Sequence, residues 1–297
     1  MPFDVVGVGH CAVDYLGIVE RYPDMDSKVE LSEFSMQGGG PVATAMVTLA
    51  TLGASTSFIG KISNDDFGMF IRHGLRGAGV DTGGLVIERD LVSPISFIAV
   101  ERKTAKRTVF WTRGNVPDLA PGEIDLSIID GAKVLHVDGI QMQAQIAAAR
   151  YARQRGVHVV YDAGSPREGM DELIAVTDTL IASERFAAEM GSGALAESLK
   201  KLSAMGPGTV VITIGEDGSV GMEHDETYIV PALAVEAVDT TGAGDVYHGA
   251  YIFGLLNGFE LRERMRIASA AAALNCRSLG GRAGIPTLEE VHQALTL

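Results

Sequence analysis

The spacing of apolar and polar positions changes several times along the chain. It opens with Val5-Val6-Gly7-Val8-Gly9, an unbroken apolar, β-branched run that reads as a buried strand. Residues 14–21 and 28–36 alternate in the manner of exposed strands, with turn chemistry at Pro23-Asp24-Met25-Asp26 between them. From 41 to 52 the pattern becomes helical and apolar nearly all round, predicting a buried helix that Gly53 ends. A strand over 57–62 and a helix over 66–77 follow. Residues 95–100 and 107–112 predict a second hairpin, joined by the polar 101–106. Beyond Pro117, short β-rich runs at 134–137, 157–161, 179–181 and 210–214 are mostly separated by helical stretches such as 144–155 and 195–204. That alternation predicts an α/β fold, with a central, mostly parallel sheet flanked by helices. The two early hairpins break the alternation. They predict a small antiparallel β-sheet at one edge, where a lid would sit. No Ser/Pro-rich linker, low-complexity tract or repeat divides residues 1–297, which read as one domain with lid segments at about 11–36 and 93–113.

Composition narrows the function classes. Apolar residues make up 46% and charged residues 21%, an ordinary globular balance that excludes disordered, collagen-like and disulfide-rich chains. A net charge of −14 argues against a broad nucleic-acid or anionic-membrane surface, though not against a local cationic pocket. Cys11 and Cys276 have no metal-binding spacing and suit a reducing compartment as small buried fillers. No basic and apolar leader precedes the first strand, and no apolar run approaches the ~20 residues of a membrane span, so a cytoplasmic protein is expected.

Asp239-Thr240-Thr241-Gly242-Ala243-Gly244-Asp245 carries the clearest chemistry. Val246, Ala250 and Phe253 share one helical face behind it, which predicts a helix start near Ala243. Gly242 and Gly244 permit close backbone approach, and the unpaired first amides of a helix suit an anion. A carboxylate at Asp245 would repel that anion unless it faces a hydroxyl and takes its proton during attack on phosphorus. By spacing alone a second reading stands beside this one: Asp239 or Thr241 caps the helix, and Asp245 adds a favourable first-turn charge.

The same block resembles the C-terminal signature of the ribokinase-like (PfkB) carbohydrate kinases. Gly38-Gly39-Gly40, the helix that follows, Gly60 and Asn64-Asp65-Asp66-Phe67-Gly68 resemble that family's N-terminal motif. Thr213-Ile214-Gly215-Glu216-Asp217-Gly218 resembles its Thr-Leu-Gly-x-x-Gly segment, and the three elements span nearly the whole chain in the family's order. The resemblance implies an ATP-dependent sugar kinase. Asp245 would be the general base, and the amides of Gly242, Ala243 and Gly244 the anion hole. Asp14, Gly39 and Gly40 would hold sugar hydroxyls, with Thr213, Gly215, Gly218 and Thr241 beside ATP. It further implies magnesium, and a possible potassium site at Asp239, Thr241 and carbonyls of the 276–284 loop.

Two departures from the family pattern stand out. Thr44 replaces the usual Asn, which leaves one hydroxyl where an amide would contact sugar. The Asn-x-x-Glu motif falls on Ser183-Glu184-Arg185-Phe186, leaving Glu184 as the candidate for the magnesium water shell.

Weaker signals surround these. Gly7-Val8-Gly9-His10-Cys11-Ala12 fits a degenerate dinucleotide fingerprint, but a strand and not a helix is expected behind it. His10 and His248 read as packed histidines near the site. Arg113 is a candidate contact for an anionic sugar substituent, and Arg282 either approaches nucleotide phosphates or stays on the surface. Arg102, Lys103, Lys106 and Arg107 read as an exposed hairpin tip.

The glycine-rich segments and 280–286 are similar to those of sulfofructose kinases, with ketohexokinases sharing the layout. A ketose or ketose derivative, phosphorylated at a primary hydroxyl, is therefore the expected acceptor. Ribose, a 2-keto-3-deoxy sugar acid, a nucleoside, or a non-catalytic sugar-sensing role remain the alternatives. The lid strands' free edges predict a homodimer.

Overall fold

The computed structural model describes residues 2–191 and 194–296; Met1, at the start of the expected leaderless terminus, and Leu297 lie outside them. In chain order the first elements are β1 (Val5–Val8), β2 (Ala12–Val19), β3 (Glu33–Gly39), α1 (Pro41–Thr51), β4 (Thr56–Ser63) and α2 (Asp66–Gly77). Next come β5 (Leu85–Glu88), β6 (Ile95–Glu101), β7 (Arg107–Thr112), β8 (Val134–Val137), α3 (Met142–Gln154) and β9 (His158–Ala163). Then follow α4 (Met170–Ile174), β10 (Thr179–Ser183), α5 (Glu184–Glu189), α6 (Leu195–Ser203) and β11 (Thr209–Thr213). The chain closes with β12 (Ser219–Glu223), β13 (Glu226–Val230), α7 (Ala243–Leu256), α8 (Leu261–Asn275) and α9 (Leu288–Thr296).

Among the described residues the large sheet runs β13-β12-β11-β10-β9-β8-β1-β4-β5, parallel except at the β11–β12–β13 end. Alternate strand residues feed two cores, as a sheet covered on both faces requires. Val160, Ile181 and Val211 pack on the side of α1, α2, α7, α8 and α9. Val159, Leu180 and Val210 pack on the side of α3, α4, α5 and α6. Strand order reverses at β1, between β4 and β8. The crevice beyond the carboxyl ends of such strands is where open α/β sheets bind ligands. No helix of the described residues is long and apolar enough to cross a membrane.

The small sheet runs β3-β2-β6-β7 and corrects three expectations. It is mixed and not antiparallel, because β2 pairs with β6 in parallel. β2 is buried along nearly its whole length, since it lies between β3 and β6. There Leu16, Ile18, Ile98 and Val100 form a satellite core against Val238 and Leu279 of the body. The strand expected at 28–36 begins only at Glu33, because the polar segment before it, with Asp26 at φ 59°, makes a longer loop. The β12–β13 hairpin escaped sequence reading. Its two-residue turn is His224-Asp225, both at positive φ, without the glycine that normally announces such a turn.

Candidate active site

α7 begins where the glycine pattern predicted. Gly242 sits at φ 73°, and a Cβ there would lie 2.5 Å from the Gly281 Cα, so the position demands glycine on both backbone and steric grounds. The Ala243 amide donates a long 3.3 Å bond to the Thr240 carbonyl. Those of Gly242, Gly244 and Asp245 have no partner among the described residues. Gly244 is exposed, and the space a Cβ would take there is open. The helix start is therefore a row of mostly unpaired donors, open to solvent at Gly244, at the positive end of the dipole. Asp239, fully buried, holds the approach: its Oδ1 accepts from the Thr241 amide (2.9 Å) and hydroxyl (2.8 Å), and its Oδ2 from the Gly280 amide (2.8 Å).

Asp14 projects from β2 against Gly39, where any side chain would collide with its carboxylate, and accepts a hydrogen bond from the Ser96 hydroxyl. Between the lid and α1 reaches Arg282, from the loop after α8. Its Nε donates to the Thr44 hydroxyl at 3.2 Å and its Nη2 to the Gly39 carbonyl at 3.1 Å. Gln37 of β3 clasps the same loop, donating to the Leu279 carbonyl (2.7 Å) and accepting from the Arg282 amide (3.1 Å). Thr44 is thus engaged by Arg282 and is almost fully buried, so it shapes the site from behind. Arg282 stands between the small sheet and α1 and is not a free surface charge. Arg107 is also no free tip charge, since its guanidinium donates to the Thr240 hydroxyl at 2.7 Å, joining β7 to the segment before α7.

Burial dominates the electrostatics. Desolvation, followed by the Asp162 charge, raises Asp245 to about 7, against the pull of His248 and Arg107. Desolvation and the Asp138 charge raise Asp162, at the end of β9, to about 8. His248 lies 3.5 Å from Asp162 and is pushed towards its neutral form by burial, with its Nδ1 at the Gly244 carbonyl. Burial likewise raises Asp14, opposed by the Ser96 bond and by Arg282. Arg282 itself is lowered only to about 10 by burial and remains a cation at neutral pH.

A cavity of about 260 Å³ opens between lid and body, lined among others by His10, Asp14, Gly40, Lys61, Arg113 and Arg167. Lys61 is buried and clamped by Glu88 (3.0 Å) and Glu123 (2.7 Å). Of the residues expected beside ATP, the Thr213 hydroxyl at the end of β11 donates to the Ala182 carbonyl at 3.4 Å, and Gly215 borders open space. Gly218 packs against the β13 backbone, where a Cβ would lie 2.1 Å from the Val230 carbonyl oxygen, so its glycine serves the fold. Glu184 is exposed in the first turn of α5. Phe186, where the family motif has its acid, fills the core. Sequence reading passed over Gln37, Lys61, Asp162 and Arg167. The last two flank the Asp162-Ala163-Gly164-Ser165-Pro166-Arg167 segment, whose position after a core strand was the available signal.

Among the described residues no cluster of three or more His, Cys, Asp or Glu side chains offers a metal cage. The exposed Glu184 carboxylate suits contact with the water shell that magnesium, a reluctantly dehydrating cation, keeps. Asn275 Oδ1 is a buried oxygen without a partner, beside the loop that holds Asp239 and Thr241, and its Nδ2 donates to the Thr241 carbonyl at 3.3 Å.

A partly buried carboxylate beside unpaired helix amides, on an open α/β sheet with a small second sheet, is an arrangement that suits phosphoryl transfer to a hydroxyl. The chain belongs to the pfkB family of carbohydrate kinases, whose model matches residues 3–288. It is 30% identical to the 5-dehydro-2-deoxygluconokinase of Shouchella clausii, over 97% of this chain and 94% of that protein. With a nucleoside kinase of Methanothermobacter thermautotrophicus it shares 26% identity over 99% of this chain and 96% of that one. A candidate ribokinase from Agrobacterium tumefaciens superposes with a TM-score of 0.90 at 26% identity, covering 100% of this chain and 98% of that structure.

Proposed function

We propose that this kinase transfers the γ-phosphoryl group of ATP to a primary hydroxyl of a small sugar, a ketose or ketose derivative. The observation that carries the reading is Asp245, standing beside unpaired helix amides and within electrostatic reach of Asp14 and Arg282 on the acceptor side. The acceptor oxygen forms its bond to phosphorus as the bond to the β–γ bridging oxygen breaks. ADP leaves, and the hydroxyl proton passes to Asp245. The Gly242, Ala243 and Gly244 amides offset charge on the migrating group. Magnesium, when bound, neutralises phosphate charge. Thr213 and Gly215 border the nucleotide, and lid closure excludes water from the acceptor pocket.

The 260 Å³ cavity lies just below the roughly 300–1,000 Å³ of drug-sized ligand sites, which favours a single sugar over a nucleoside. The gluconate-derivative kinase among the relatives supports a ketose derivative, while the nucleoside kinase keeps nucleosides in the test. ADP release across a panel of ketoses, aldoses, sugar acids and nucleosides separates these readings. Turnover confined to nucleosides rejects the sugar assignment, and inactivity throughout favours a sensor. Asp245→Asn is expected to lower kcat by roughly 10²–10⁴ on the best acceptor. Near wild-type turnover would reject the base assignment.

Two finer features complete the proposal. A potassium ion is assigned to Asp239, Thr241 and carbonyls of the 276–284 loop. Its support is a fully buried carboxylate with no ion-pair partner among the described residues, together with the orphan Asn275 oxygen. Exchanging potassium for tetramethylammonium at constant ionic strength should lower the rate, and no change would reject the site. The working form is assigned as a homodimer through the lid.

A further inference from the structure

We propose that the acceptor sugar carries an anionic substituent, seated between Arg113 of the lid junction and Arg167 of the loop after β9. This rests on the sugar-kinase reading above. The cavity wall that holds Asp14 and Ser96 for hydroxyl recognition also holds these two guanidinium groups. They come from opposite sides, Arg113 one residue beyond the lid strand β7 and Arg167 from the body.

The charge balance of the wall singles them out. Lys61 is already matched by Glu88 and Glu123, so it has no charge to offer a ligand. Arg113 uses only Nη1, towards Asp118 at 3.0 Å, a carboxylate that is itself 65% exposed. The rest of its fork has no hydrogen-bond partner among the described residues, and its guanidinium lies 5.8 Å from the Trp111 ring centroid. The Arg167 guanidinium makes no hydrogen bond or ion pair among the described residues; only its backbone carbonyl is engaged, accepting from the Met170 amide at 3.2 Å. In a chain of net charge −14, an arginine without an acidic partner facing a cavity is not explained by general basicity. His10 in the same wall is pushed towards its neutral form first by burial and then by both guanidinium groups, against the pull of Asp138 and Asp118. Planar forks of this kind suit a phosphate, sulfonate or carboxylate, which accept paired N–H groups. An anion held there would tie lid to body as the pocket closes.

The test compares kcat/KM for D-fructose, D-fructose 6-phosphate, 6-deoxy-6-sulfofructose and 2-keto-3-deoxygluconate, in the wild type and in Arg113→Gln and Arg167→Gln. An anionic sugar should be preferred over fructose by about 100-fold. Each substitution should cut that anionic-to-neutral ratio by roughly 10–100-fold, with the KM for ATP unchanged. The preferred probe identifies the anion as phosphate, sulfonate or carboxylate. Preference for the neutral sugar, an unchanged ratio in both variants, or a raised KM for ATP would overturn the proposal; the last would assign the arginines to the nucleotide. If no acceptor releases ADP, the phosphoryl-transfer reading fails by itself. Calorimetry of the three anionic sugars then tests the subsite directly: binding lost in Arg167→Gln supports it, and no binding to the wild type ends it.

Discussion

Asp245 and Asp162 show how desolvation sets the working range of a carboxylate. Asp245 is raised to about 7 chiefly because desolvation disfavours its ionised form. A base must be ionised to accept a proton, so kcat/KM should rise with pH through about 7. Burial is the larger cause and Asp162 still holds its proton near pH 7, so Asp162→Asn should leave the inflection well above the usual carboxylate range, and an inflection that fell to near 3.8 would reject the role of burial. The same shifts bear on stability. Both folded carboxylates keep protons to about 7 and 8, whereas the unfolded chain releases them near 3.8. Folding therefore takes up protons between these values, and the contribution of this pair to stability falls as pH rises across that window. Asp162→Asn should accordingly raise the thermal midpoint at pH 9 and leave it nearly unchanged at pH 4.

At the scale of elements, the site depends on where α7 starts. Gly242→Ala forces a positive φ on a side chain and drives its Cβ into Gly281, at a cost of about 1–3 kcal/mol. Urea unfolding should register that loss, and kcat should fall at least tenfold as the amide row tilts. An unchanged kcat in a destabilised protein would separate the helix start from the chemistry. α1 and α2 were legible because each carries its own local signals: Pro41 opens α1, and the Asp65 side chain caps α2 by accepting from the Gly68 amide. The β2–β6 pairing was not legible. A parallel partner 82 positions away, as between Asp14 and Ser96, leaves no periodic trace in either strand.

For the whole molecule, the outer lid face is an exposed apolar surface. Phe34, Met36, Phe97 and Phe110 are exposed together across β3, β6 and β7, around a Tyr15 that stacks on Phe97 with ring centroids 5.4 Å apart. A soluble chain rarely leaves such a patch open, and a second copy offers the same patch. Light scattering should therefore return twice the 31.3 kDa of one chain, and a Phe97→Lys, Phe110→Lys double variant should return one. A monomeric wild type would reject the lid interface.

The sequence alone determined what local chemistry determines. Strand and helix periods specified a covered parallel sheet, and the 239–245 glycines specified a helix start at Ala243 with unpaired amides. The three spaced motifs specified the family. Only the tertiary structure decided which distant side chains complete the pocket. Arg282 meets Gln37 across 245 positions and Thr44 across 238. Arg167 and Arg113 share a cavity wall that neither segment encodes. Periodicity records which face of an element is buried, whereas the charge that will stand opposite it is set only when the elements pack.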